Sequence, residues 1–115
     1  MNEHGHIDSR KALQWLEDDE RMYAKIKTMF KEKVPSQVEQ LKAFIDAGDC
    51  GSVALTAHTI MGSSAMVGAS VMSDEAGKLE RSAIDGNMIS ARLHFSTFSE
   101  EYEKVMEQLT SDGEN

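Results

Sequence analysis

Apolar side chains recur at every third or fourth position along nearly the whole of this chain. Met22, Ile26, Phe30, Val34, Val38, Leu41 and Ile45 keep a single phase. Met88, Ala91, Phe95, Phe98, Tyr102, Val105 and Leu109 repeat the pattern toward the C-terminus. Steps of three and four place such residues on one side of an α-helix. Apolar and polar residues alternate nowhere for more than a few positions, so strands have no support. The chain is therefore expected to be all-α.

The breaks between stripes are short and carry recognisable stop and start signals. Asp8 or Ser9 is placed to cap a short helix carrying Ala12, Leu13, Trp15 and Leu16, with Trp15 expected to anchor it to the rest. Asp18 and Asp19 open a long helix, where acidic residues favour the N-terminal dipole. The single proline, Pro35, falls inside its stripe without shifting the phase, which predicts one kinked helix rather than two. Ala47-Gly48-Asp49 supplies a left-handed stop and the next cap. A third helix then runs to about Val67 and ends at Gly68. A fourth covers about 69–84 with Val71, Met72, Ala76, Leu79 and Ala83 inward, and Asp85-Gly86-Asn87 separates it from the last. Short connections make successive helices antiparallel neighbours. The expected architecture is an up-and-down antiparallel four-helix bundle with a short extra N-terminal helix. It would span residues 8–110, between flexible tails at 1–7 and 111–115.

Charge and cysteine usage exclude several functions. The formal net charge is −8, the wrong sign for neutralising nucleic-acid phosphates or an anionic membrane surface. Cys50 is the only cysteine, so there is no internal disulfide and no cysteine-built metal site. No apolar run approaches membrane-spanning length, and the N-terminus lacks a secretory apolar core. A cytoplasmic location is expected.

One segment breaks the chain's habits. His58 stands one helical turn before Gly62, inside the third helix. Glycine in a helix interior costs about 1 kcal/mol relative to alanine, and imidazole is the side chain best suited to carry a proton or a phosphoryl group near neutral pH. At about 100° per residue, Val53, Ala57, Ile60, Ser64 and Val67 form the inward stripe. His58 falls far outside it, beside Ala54, Leu55, Gly62 and Ala65, with Met61 on the flank. Between Cys50 and Ser73 no other side chain except Cys50 titrates. A small-residue, uncharged patch around one exposed histidine has the character of a docking surface.

The run Ala57-His58-Thr59-Ile60-Met61-Gly62-Ser63-Ser64, followed by Val67-Gly68-Ala69, resembles the signature of histidine-phosphotransfer (HPt) domains. That signature reads roughly Ala-His-x-Leu-Lys-Gly-Ser-Ser or Ala, then hydrophobic-Gly-Ala. Ala47-Gly48-Asp49, Lys78-Leu79-Glu80 and the proline-bearing helix extend the likeness over about residues 9–110. The resemblance implies a phosphocarrier, not an enzyme with its own kinase or hydrolase site. His58 would accept a phosphoryl group from an aspartate of a receiver domain and pass it to another. Leu55, Met61, Gly62 and Ala65 would form the receiver-docking patch, with Gly62 giving clearance. Partners would be the receiver domain of a response regulator or of a hybrid sensor histidine kinase, and the chain itself would be a monomer. It would need no metal or cofactor, because Mg²⁺ would sit on the receiver. HPt sequences carry Lys three residues after the histidine, where this chain has Met61. A supporting cation would then come from elsewhere, with Lys78 and Arg81 on the following helix as candidates. The competing reading is an HPt-like module that binds and sequesters a receiver or kinase without accepting phosphate. No nucleophile–base constellation supports a third, a phosphohistidine phosphatase.

Overall fold

The computed structural model describes residues 6–113. Five helices follow in order: α1 (Ser9–Trp15), α2 (Glu20–Ala47), α3 (Cys50–Met66), α4 (Ser70–Ile84) and α5 (Met88–Gly113). Among the described residues there is no strand. The 28 residues of α2 should extend about 42 Å, which matches the molecule's long dimension of 40 Å. α3 packs between α2 and α4, and α5 returns alongside α4 and α2, closing a four-helix ring with α1 laid across one end. No helix among the described residues is long and apolar enough to cross a membrane.

The caps sit where the sequence places them. The carboxylates of Asp8, Asp19 and Asp49 accept from the backbone N–H groups of Lys11, Met22 and Ser52 at the starts of α1, α2 and α3. Each satisfies a donor that the first helical turn leaves unpaired. Gly48 ends α2 in the left-handed conformation. Pro35 is carried inside α2 without ending it, because Phe30, Val34, Leu41 and Ile45 bury on both sides of it.

The core holds the predicted stripes. Val53, Ala57, Ile60, Ser64 and Val67 are all fully buried, with Leu41, Met72, Leu79, Phe98 and Val105 packed around them. The Ser64 hydroxyl donates to the Ile60 carbonyl one turn back, so its burial leaves no polar group unpaired.

Four expectations change. Trp15 is 78% exposed and so is not the buried anchor expected of it; α1 is held instead by buried Ala12 and by the segment before it. Val71, expected inward, is exposed. It sits in the first turn of α4 beside Met72, and only one of two successive residues can face the core. Ile7, assigned to the N-terminal tail, is instead buried in the core, and the Asp8 N–H beside it donates to the Gly68 carbonyl at 2.8 Å, while residues 1–5 lie outside those described. His6 Nδ1 lies 2.9 Å from Glu101 on α5. Helix α5 also runs on through Gly113 rather than ending at Leu109; the remaining tail residues lie outside those described.

Candidate functional site

The site grows from the α3–α4 hairpin. The turn is closed by Gly68 N–H to the Ala65 carbonyl and Ala69 N–H to the Ser64 carbonyl. It is pinned from outside by Asp8 and by the Tyr23 hydroxyl, which donates to the Val67 carbonyl at 2.8 Å. Burial of Tyr23 was not legible in the sequence, where Met22 held the stripe position. With the turn fixed, residues equally distant from Ala69 face each other across the two helices. Met61 and Gly77 meet in this way, the Met61 sulfur lying 3.3 Å from where a Gly77 side chain would begin. His58 and Glu80, each eleven residues from Ala69, meet likewise.

His58 points outward, with its side chain 62% exposed. Its Nδ1 lies 3.1 Å from Glu80 Oε2. An ionised carboxylate only accepts hydrogen bonds, so Nδ1 is the donor to Glu80, and in the neutral ring that arrangement leaves the lone pair on Nε2. Exposure makes the pair worth no more than about 1 kcal/mol of stability. Its consequence is orientation of the ring. In the sequence Glu80 stands out only within the Lys78-Leu79-Glu80 likeness. The uncharged patch predicted from α3 alone thus gains a carboxylate from α4.

Around His58 the surface is low and apolar. Leu55 is 71% exposed, Gly62 and Ala65 are exposed, and a side chain built on Gly62 would meet nothing within 4 Å. Ile84, one turn beyond Glu80 on α4, is also exposed. Met61 lies on the flank of this patch. It is half-buried against Gly77 of α4, and its carbonyl accepts from the Ser73 hydroxyl, so it borders the patch without projecting from it. A cavity of about 350 Å³ opens beside Gly62 and Ala65, roofed by Trp15 and Leu16 of α1 and walled by Met66 and Asp74.

The candidate cations are not brought to the histidine. Lys78 pairs with Glu75 at 3.3 Å, and Lys78 and Arg81 line a cavity between α4 and α5 together with Ser90 and His94. Lys78 precedes Glu80 by two residues, nearly opposite on the helix, which turns it away from α3. Among the described residues no group of acidic, histidine or cysteine side chains could hold a metal ion.

Sequence and structure comparisons bear on the family and the fold. The Hpt domain family matches residues 25–112. The chain belongs to that family. The crystal structure of histidine-containing phosphotransfer protein B (HptB) from Pseudomonas aeruginosa PAO1 superposes on it with a TM-score of 0.84 at 25% identity, over 93% of each chain. No curated protein sequence matches it. The Hpt fold thus accounts for the bundle, and family membership makes this a histidine-phosphotransfer protein of two-component signalling.

Proposed function

We propose that His58 is the phosphoryl acceptor of a cytoplasmic phosphorelay carrier. Nε2 attacks the phosphorus of an aspartyl phosphate on a receiver domain. The N–P bond forms as the P–O bond to the aspartate breaks, and that electron pair stays on the receiver's carboxylate. The ring keeps its Nδ1 proton and takes on positive charge, which the Glu80 carboxylate faces at 3.1 Å. Reversal onto a second receiver's aspartate completes the relay. Phosphoryl transfer runs through a loose, in-line transition state, so positioning supplies most of what the protein contributes. Mg²⁺ on the receiver would neutralise the transferring group, so the carrier itself needs no metal or cofactor. Leu55, Gly62 and Ala65, with Met61 at their edge, would seat the receiver close enough for in-line attack.

The observation that supports this reading most directly is the outward imidazole, held through Nδ1 by Glu80 above a shelf of small residues. The test is label uptake from phosphorylated receiver domains of the organism that encodes the chain. Wild type should acquire a base-stable, acid-labile phosphoryl group, and His58→Gln should acquire none. Equal uptake by His58→Gln would reject the site.

One observation favours a second reading. A half-buried methionine borders His58 where HPt sequences carry lysine, and neither Lys78 nor Arg81 replaces that charge. A module that binds receivers without turnover would keep wild-type affinity in His58→Ala, measured by calorimetry, and would take up no label in either form.

A further inference from the structure

The chain's charge is unevenly distributed. Residues 21–33 carry Arg21, Lys25, Lys27, Lys31 and Lys33 against Glu32 alone, a local charge of about +4 by side-chain counting in a chain of net −8. Lys25, Met29 and Lys33 are spaced four apart and so form one line along α2. All three are exposed. Among the described residues neither lysine has an acidic partner, whereas Lys42 and Lys78 are both paired.

That line borders the proposed docking face. Met29 and Lys33 wall a groove between α2 and α3 together with Ser63 and Met66. Met66 also walls the cavity beside Gly62 and Ala65. An apolar path therefore leads from the His58 shelf through Met66 to Met29, with a free cation on each side of it. Methionine is the adaptable apolar side chain of surfaces that fit a partner closely. A basic stripe kept only for solubility has no reason to be threaded by exposed methionine.

We infer that Lys25, Met29 and Lys33 form the recognition flank of the docking face, accepting a helix of the receiver that presents carboxylates two turns apart with apolar residues between. This rests on the carrier reading. A receiver that holds Mg²⁺ with carboxylates is acidic where it meets His58, and two acidic proteins repel at long range. An unpaired cationic stripe beside the site offsets that repulsion and fixes the approach, an effect on association rate more than on the chemical step.

The experiment compares wild type, Lys25→Glu/Lys33→Glu and Lys42→Glu, each confirmed as folded by circular dichroism. Probes are purified receiver domains of the source organism, with binding by calorimetry and transfer by rapid quench at low and physiological ionic strength. The double variant should lose about tenfold in second-order transfer rate at low salt, keep the wild-type rate at saturating receiver, and show a flatter salt dependence. Lys42→Glu should match wild type. An unchanged rate and salt slope in the double variant, or an equal loss in Lys42→Glu, overturns the flank while leaving the carrier reading intact. Receiver binding that weakens in the double variant, with no label on wild type, upholds the flank and rejects the carrier. Absence of binding by every receiver overturns both.

Discussion

Gly62 and Gly68 lie six residues apart on the same hairpin, and their surroundings are opposite. Gly68 holds φ +87, and a side chain there would run into the carbonyl oxygen of Asp8 and approach Ala12 at 3.3 Å. Its lack of a Cβ is a condition of the fold, because the N-terminal segment crosses where that atom would be. Gly62 is helical, and a side chain there would meet nothing within 4 Å. Its lack of a Cβ weakens α3 and relieves no crowding within the molecule. On the proposed function, a glycine that costs stability and opens space only outward, one turn from an exposed histidine, leaves room for the receiver.

Substitutions at the hairpin sharpen this contrast. The largest effect is expected at Gly68. Backbone strain at positive φ and the collision with Asp8 together should make Gly68→Ala less stable by about 3 kcal/mol. Thermal unfolding should shift downward by on the order of 10 °C, with transfer per folded molecule little altered. Glu80→Gln should act in the reverse sense. Stability should move by less than about 1 kcal/mol, because the pair is exposed, while label transfer falls several-fold and ring ¹⁵N shifts of His58 move toward a mixture of tautomers. Transfer and shifts matching wild type would remove Glu80 from the mechanism. The smallest effect is on the stability of Gly62→Gln, a gain of about 0.5–1 kcal/mol from helix propensity alone.

The sequence determined most of the fold because the bundle is built from local rules. The α3 stripe of Val53, Ala57, Ile60, Ser64 and Val67 is buried to the last residue, since a period of 3.6 fixes which side faces inward once the helix forms. Asp19, Gly48 and Asp49 cap as their chemistry requires. What local rules did not reach depends on contacts between elements. Trp15 was expected to pack and stands in solvent, because α1 is anchored through Ile7, Asp8 and Ala12 rather than through its largest side chain. Lys78 and Arg81 lie on the helix expected of them, but Lys78 pairs with Glu75 and both line the cavity shared with α5. Glu80 carries the clearest lesson. Spacing along the chain gives no hint of a 22-residue pairing, yet distance from the turn at Gly68 and Ala69 does, because an antiparallel hairpin brings equidistant residues together.

On the proposed function, the space above Gly62 belongs to a partner that reacts with His58. This assignment is tested most directly by measuring transfer from a phosphorylated receiver domain to Gly62→Gln and wild type, with thermal unfolding recorded on the same samples. The variant should be at least as stable as wild type, with a transfer rate that falls by tenfold or more. An equally stable variant that accepts the phosphoryl group at the wild-type rate would contradict the assignment.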